Sequence, residues 1–179
     1  VFPGQGSQAV GMGKDLADAF PAARLVFEEG NETLKQNLSK VMFEGPDDQL
    51  RLTANAQPAL MGVSIGSSRL LQEEGNVAVP DVADFGAGHS LGEYAALAAA
   101  GELSLSDTAR LLKLRGETMQ IAVPVGEGAM AALMGPTVEE TEEIAAAAVS
   151  AGDAGEVCDL ANDNAPGQVV VSGSTATVE

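Results

Sequence analysis

The pentapeptide Gly88-His89-Ser90-Leu91-Gly92 follows the pattern G-x-S-x-G, which is typical of a sharp strand-to-helix turn that exposes a serine hydroxyl. Residues 82–87 are mostly apolar and predict a central strand, and residues 93–100 are rich in helix formers. A side chain at Gly88 or Gly92 would crowd a turn this tight, so the pattern predicts that both glycines are required. A helix that starts at Ser90 directs its first N–H groups, with their partial positive charge, at an oxyanion forming on that serine. The pattern therefore predicts a nucleophile at Ser90, although a glycine-rich turn with an accidental serine matches the same five residues.

Length and composition indicate a globular protein with an aliphatic core. The chain has 179 residues, of which 45% are hydrophobic and 3% aromatic. This length fits one medium domain or part of a larger protein. No apolar run approaches the ~20 residues of a membrane span, and no basic-then-apolar leader is seen. The single cysteine, Cys158, cannot form an internal disulfide, so nothing requires an oxidising compartment. We expect a soluble cytoplasmic protein.

Charge is distributed unevenly along the chain, whose formal net charge is −17. Residues 1–115 hold all nine lysines and arginines and fifteen acidic residues, whereas residues 116–179 hold eleven acidic residues and no basic one. Nucleic-acid binding needs a basic surface and is excluded by this balance. An acidic partner could dock only near the first 115 residues, and the excess of acid is otherwise explained by solubility.

Hydrophobic periodicity divides the chain into two predicted domains, 1–125 and 126–179. The first has a helical pattern over 15–42 that Gly30-Asn31 divides, a long helix from Thr53 to about residue 74, and a helix capped by Ser106. The second is predicted to contain a strand over 129–134, a helix capped by Thr137, strands over 157–161 and 168–172, and a helix capped by Ser174. This β-α-β-β-(α) order predicts a ferredoxin-like subdomain. The chain stops within an element at both ends, which predicts a fragment.

Several separated motifs occur in one fixed order and together resemble a known family. They are Pro3-Gly4-Gln5-Gly6-Ser7-Gln8, Gln57-Pro58-Ala59, Gly88-His89-Ser90-Leu91-Gly92-Glu93-Tyr94, Arg115-Gly116 with Met119-Gln120, and Asn162-Asp163-Asn164-Ala165-Pro166-Gly167-Gln168-Val169-Val170. The chain resembles the first three-fifths of the malonyl-CoA:acyl carrier protein transacylases of bacterial fatty acid synthesis, relatives of polyketide synthase acyltransferase domains. The resemblance implies an α/β fold, with an α/β-hydrolase-like large subdomain built on a parallel sheet and a small ferredoxin-like subdomain, both incomplete in this chain.

The resemblance also implies a two-step acyl transfer. Ser90 Oγ attacks the malonyl thioester, CoA leaves, and the phosphopantetheine thiol of acyl carrier protein takes the acyl group. The oxyanion donors implied are the backbone N–H groups of Gln5 and Leu91, and Leu91 also follows from its place after an elbow nucleophile. The family implies acyl carrier protein and a CoA thioester as partners, no cofactor, no metal, no membrane and a monomer.

Arg115 is the residue that the resemblance implies for binding the malonyl carboxylate. A planar guanidinium holds a carboxylate through two parallel charge-assisted hydrogen bonds. By its pattern alone, an arginine on an amphipathic helix is more often a solvated surface residue. Gln57 either lines the acyl pocket or simply begins a helix.

The one histidine, His89, is a poor candidate for the general base. It directly precedes Ser90, and neighbouring side chains on an elbow diverge, whereas a base must come within ~2.6–3.2 Å of the hydroxyl. Packing beside the elbow strand, at the edge of the pocket, suits His89 better. In the family the base is another histidine, beyond the residues present here.

Three alternatives share some of these features. An α/β serine hydrolase, such as a thioesterase or esterase, has the same elbow, but a neutral ester gives a buried Arg115 no partner, and the Gly4-Gln5-Gly6 loop also argues against it. A polyketide synthase acyltransferase domain has the same motifs. A module that only binds carrier protein or CoA needs no base.

Overall fold

The computed structural model describes residues 1–124 and 126–179, which form two compact units, Val1–Ile121 and Ala122–Glu179. The division predicted from sequence, 1–125 and 126–179, stays a prediction, and Val125 lies outside the described residues. Together the two units give an α/β protein with many helices and a small antiparallel sheet. Among the described residues, no helix is both long and apolar enough to cross a bilayer.

The first unit is mainly helical. Its helices are α1 Lys14–Ala19, α2 Pro21–Leu34, α3 Leu38–Glu44, α4 Asp47–Arg51, α5 Thr53–Gly75, α6 Val79–Val82, α7 Gly92–Ala99 and α8 Leu105–Ala122, the last of which ends at the unit boundary. The predicted division at Gly30-Asn31 is wrong, because α2 runs through both residues. The breaks lie at Phe20, which is extended before the Pro21 ring, and at Lys35, which adopts a left-handed conformation.

Helix α5 lies between two clusters of buried apolar side chains in the first unit. It contributes Leu60, Met61 and Ile65 to one cluster and Ala59 to the other. The first cluster also contains Leu91, 1% exposed, and Ala95, 0% exposed, from the segment that carries the elbow. Burial of a large aliphatic side chain stabilises a fold by about 1.5–3 kcal/mol, so the core holds the elbow firmly in place.

The prediction of a central strand over 82–87 is wrong, because none of these residues forms a strand. Among the described residues of the first unit, parallel pairing is limited to one bridge between Phe2 and Gly88. The Phe2 N–H donates to the Ala87 carbonyl at 2.8 Å, and the His89 N–H donates to the Phe2 carbonyl at 3.1 Å. Val82 instead ends α6, and Phe85 is 94% exposed. A parallel strand needs paired neighbours and covered faces, which an apolar run does not itself supply.

The second unit has the element order predicted from sequence. It contains β1 Gly128–Met134, α9 Val138–Ala151, β2 Cys158–Ala165, β3 Gln168–Ser174 and α10 Thr175–Val178, in an antiparallel sheet of order β1-β3-β2. The predicted cap at Thr137 is confirmed, because its hydroxyl accepts from the Glu140 N–H while the Glu140 carboxylate accepts from the Thr137 N–H. Ser174 precedes α10 but does not cap it, since its hydroxyl accepts from the Val157 N–H. Cys158 is buried.

Candidate active site

Ser90 lies in a strained turn between the Phe2–Gly88 bridge and α7. Its φ of 54° is in the left-handed region, which a residue with a side chain rarely adopts and which concentrates at functional sites. Helix α7 begins at Gly92, two residues later than predicted, and the intervening turn is closed by the Gly92 N–H donating to the His89 carbonyl at 2.9 Å. Leu91 is buried in the core while Ser90 is exposed. The turn therefore presents the serine hydroxyl outside the core.

The two glycines of the elbow are required by close backbone contacts. A Cβ added at Gly88 would overlap the backbone of Gly92 and Glu93, and one at Gly92 would overlap the carbonyls of Phe2 and Pro3. Neither obstacle is a flexible side chain that could move away. The sequence-based interpretation, that any side chain at these positions crowds the turn, is confirmed.

Arg115 on α8 reaches the elbow serine. Its Nη2 donates to Ser90 Oγ at 2.9 Å, and its Nη1 donates to Gln57 Oε1 at 2.7 Å. A guanidinium has donors only, so the Ser90 oxygen is the acceptor and its own proton stays available to a base. The alternative that Arg115 is a solvated surface residue is wrong, because the side chain is held at both ends of its fork.

Gln57 lies inside α5 and is 0% exposed. Its amide Nε2 donates to Met119 Sδ at 3.3 Å while its Oε1 accepts from Arg115. A thioether accepts and a guanidinium only donates, so these two neighbours fix which way the amide points. Sequence reasoning named Gln57 as a candidate but missed the role of Met119. The signal for Met119 was its spacing, four residues after Arg115 on one helix face.

Gly116 lets α8 come close to the start of α5. A Cβ at Gly116 would lie 2.6 Å from the Thr53 carbonyl oxygen and 2.8 Å from Ala54 Cα. One turn later, Gln120 Oε1 accepts from the Ala54 N–H at 3.4 Å. The contact between α8 and α5 is thus made at Gly116 and Gln120. It allows two other residues of α8, Arg115 and Met119, to form hydrogen bonds with Gln57 on α5.

The loop after Phe2 lies beside the same end of α5. Gln5 Nε2 donates to Thr53 Oγ1 at 3.3 Å, and the loop is shaped by Ser7 Oγ donating to the Gly4 carbonyl at 2.9 Å. Among the described residues, the backbone N–H groups of Gln5 and Leu91 donate to no protein acceptor. The His89 ring lies against Gly4, where a Cβ would overlap its Nδ1. The Leu91 N–H, next to Ser90 in the chain, and the Gln5 N–H, next to the Gly4 that contacts His89, are therefore without a protein acceptor among the described residues.

The cation of Arg115 is surrounded by neutral partners. Its hydrogen bonds go to a hydroxyl and a carboxamide, and no carboxylate of the described residues lies within 4 Å of it. Five other basic residues pair with acidic neighbours on their own helices: Lys14, Arg24, Arg51, Arg110 and Lys113. A half-buried cation without a protein counter-charge is suited to bind an anionic ligand.

A family model described as "Acyl transferase domain" matches residues 1–179, the whole of the sequence. The chain belongs to this acyl transferase family. The resemblance deduced from the separated motifs is therefore confirmed.

Curated relatives in this family carry a more specific name. The malonyl CoA-acyl carrier protein transacylase of Bacillus subtilis is 48% identical over all 179 residues, and that of Escherichia coli K12 is 42% identical. The match covers 54% of the first relative and 55% of the second, so the chain spans about half the length of the curated relatives it matches.

Solved structures agree with the sequence relatives. The acyl-carrier-protein-S-malonyltransferase of Bartonella henselae is 54% identical, with a TM-score of 0.89 over 98% of this chain and 55% of that one. A holo complex of a malonyl-transacylase with a type II polyketide synthase acyl-carrier protein is 40% identical, with a TM-score of 0.87 over 99% of this chain and 55% of that one. The chain is thus similar in fold to the corresponding half of both malonyl-transferring enzymes.

Proposed function

We propose that this protein transfers a malonyl group from malonyl-CoA to the phosphopantetheine thiol of acyl carrier protein, through an acyl-Ser90 intermediate. The observation that carries the proposal is the Arg115 guanidinium, 2.9 Å from Ser90 Oγ and without a carboxylate partner among the described residues. A malonyl ester of Ser90 has its carboxylate one methylene beyond the ester carbonyl. Arg115 is therefore near the group that distinguishes malonyl from acetyl.

In the proposed reaction, Ser90 Oγ forms a bond to the thioester carbon while a base takes its proton. The tetrahedral oxyanion is received by the Gln5 and Leu91 N–H groups, each such donor being worth about 3 kcal/mol of barrier in comparable sites. The carbon–sulfur bond then breaks and CoA leaves as its thiol. In the second half, the base takes the proton of the carrier thiol, whose sulfur attacks the ester carbon. The carbon–oxygen bond to Ser90 then breaks, and the base returns the proton to Ser90 Oγ.

Arg115 has two tasks in this scheme. In the absence of substrate it donates to one of the two lone pairs of Ser90 Oγ, which lowers the nucleophilicity of the hydroxyl, and it exchanges this contact for the substrate carboxylate. It then pairs with the malonyl carboxylate through its planar fork, while Nη1 keeps its hydrogen bond to Gln57. His89 and Gln57 form the proposed edge of the acyl pocket. The base is proposed to be a histidine outside residues 1–179, as the family resemblance implies.

The finer architecture follows the same resemblance. We propose an α/β-hydrolase-like large subdomain for residues 1–125 and a ferredoxin-like small subdomain for residues 126–179, in a monomeric cytoplasmic enzyme. The scheme uses no metal and no cofactor, since each step is an acyl transfer between oxygen and sulfur. A serine hydrolase is disfavoured because neutral esters leave Arg115 without an anion.

The proposal is tested by incubating the intact protein with malonyl-CoA and locating the adduct by mass spectrometry. One malonyl group is expected on the peptide that contains Ser90, and Ser90→Ala removes it while the circular dichroism spectrum stays that of wild type. Addition of holo-acyl carrier protein discharges the adduct to the carrier thiol. An adduct that persists in Ser90→Ala, or one discharged only to water, contradicts the proposal.

A further inference from the structure

Gln57 is a buried amide whose two polar ends are both used. Its Oε1 accepts from Arg115 Nη1 at 2.7 Å and its Nε2 donates to Met119 Sδ at 3.3 Å. The side chain is 0% exposed, so water cannot replace either partner. Within the described residues, no buried side-chain nitrogen or oxygen lacks a hydrogen-bond partner. The arrangement therefore fixes one arm of the Arg115 guanidinium and leaves the other, Nη2, directed at Ser90.

The chemical type of residue 57 has a consequence for charge. A glutamate of the same shape would offer Nη1 an equally good acceptor, but its carboxylate would compensate the guanidinium charge at short range. An amide provides the acceptor without the charge. Met119, the other neighbour of Gln57, is also neutral. This group of side chains therefore has one positive charge, that of Arg115, because Ser90, Gln57 and Met119 are neutral.

We infer that Gln57 is a positioning residue for acyl selection: it holds the Arg115 guanidinium in place while leaving its full charge to the carboxylate of the acyl group. The inference rests on the proposed function and deepens it. It assigns the preference for a carboxylated acyl group to the pair Gln57–Arg115 rather than to Arg115 alone. Gln57 acts through Arg115 and does not itself bond the reacting atoms.

The test uses an isosteric charge change and a matched control in the intact protein. Gln57→Glu should lower kcat/KM for malonyl-CoA by about 10²-fold, the scale of a lost short-range charge pair, and leave acetyl-CoA nearly unchanged. Gln36→Glu is the control, because Gln36 Oε1 also accepts from a cation of α8, Lys113 Nζ, at 2.9 Å, but away from Ser90. The control should keep the wild-type malonyl-to-acetyl ratio.

A second variant removes the acceptor without adding charge. Gln57→Met leaves Arg115 charged but untethered, and the malonyl-to-acetyl ratio should fall by about tenfold. A parallel loss of both substrates, or a wild-type ratio in Gln57→Glu, overturns the inference. If Gln57→Glu does not fold, the malonyl-to-acetyl ratio of Gln57→Met decides, and a wild-type ratio in that variant overturns the inference. If the proposed function itself is wrong, the wild-type protein forms no malonyl adduct on Ser90, and this inference then fails as well.

Discussion

At Ser90 the serine hydroxyl accepts a hydrogen bond from Arg115 Nη2 at 2.9 Å, so the proposed nucleophile and the cation are in direct contact. A carboxylate is a stronger acceptor for a guanidinium than a neutral hydroxyl is. Under the proposed function, malonyl therefore draws Arg115 away from Ser90, whereas acetyl has no group that competes for it. The proposed selection between the two acyl groups then follows from one exchange of hydrogen-bond partners.

Substitution of Arg115 should separate the two substrates. Arg115→Ala in the intact protein removes the charge-assisted contact and should cost roughly 2–5 kcal/mol in malonyl transfer, the range for breaking a desolvated charge pair. Acetyl transfer should be unchanged or faster, because a cation that needs desolvation has gone. The measured quantity is the ratio of kcat/KM for malonyl-CoA to that for acetyl-CoA. A parallel decline of both substrates would make Arg115 a structural residue.

Sequence reasoning at the residue scale succeeded where a local backbone rule applied. Gly88 and Gly92 were predicted from turn crowding, and their Cβ positions are indeed blocked by backbone. Arg115 is different, because nothing in an amphipathic helix indicates that it meets a serine 25 positions earlier. Family resemblance assigned Arg115 to the malonyl carboxylate but did not predict its hydrogen bond to Ser90. Met119 was missed because its partner Gln57 is 62 positions away and the contact is a weak sulfur hydrogen bond.

At the scale of elements, the approach of α8 to α5 is set by one missing side chain. Gly116 faces the Thr53 carbonyl and Ala54 with no room for a methyl group, since the blocking atoms are backbone. Gly62, inside α5, differs: a Cβ there would lie 3.5 Å from Phe27 Cδ1 and 4.0 Å from Met42 Cε, beside a cavity of about 20 Å³. Gly62 therefore has room for a methyl group, whereas Gly116 does not.

Gly116→Ala and Gly62→Ala form a matched pair of predictions. Gly116→Ala should destabilise the protein by about 1–3 kcal/mol through overpacking and should also reduce malonyl transfer, because it moves Arg115. Gly62→Ala should stabilise it by roughly 0.5–1 kcal/mol, since alanine lowers the entropy cost of the helix and fills free space. Urea unfolding followed by circular dichroism measures both. The two expectations, which are opposite in sign, fail if both variants shift the urea midpoint in the same direction.

Helix α9 offers a third prediction, in the second unit. Thr137→Ala removes the hydroxyl that accepts from the Glu140 N–H and should cost about 1 kcal/mol of the stability of that unit. Thr137→Ser keeps the acceptor and is the control. Hydrogen exchange at the amide of Glu140 should accelerate in the alanine variant alone. Unchanged exchange there would show that the capping box contributes little.

Caps and strands show why elements are only partly predictable. Thr137 was identified correctly because the acidic residue three positions later completes a local motif. Ser106 was wrong as a cap: the Ser104 hydroxyl accepts from the Asp107 N–H at 3.0 Å, and the helix begins at Leu105. Two serines so close offer alternative starts, and burial of Leu105 decides between them. The strand over 82–87 depended on pairing partners distant in sequence, which its own residues cannot reveal.

On the scale of the whole molecule, the residues proposed for acyl transfer lie in one unit, whereas the proposed base lies outside residues 1–179. Ser90, Gln5, Leu91, Arg115 and Gln57 all lie in the unit Val1–Ile121. The sequence contains one histidine, His89, whose ring lies against Gly4. The chain spans about half the length of its curated relatives, so the proposed base can belong to the other half.

A chemical-rescue experiment tests where the base lies. A polypeptide of these 179 residues should form the malonyl-Ser90 adduct at least ~10²-fold more slowly than the intact protein, the lower end of the contribution of general-base catalysis. Free imidazole has a pKa near that of a histidine side chain and can take the Ser90 proton from solution, so it should accelerate the polypeptide in proportion to its concentration. The intact protein, which already supplies a base, should respond little. Ser90→Ala is the control for both, because it should form no adduct with or without imidazole. Rapid adduct formation by a monodisperse 179-residue polypeptide without imidazole would show that the base lies among these residues, and His89 would then be the group to substitute.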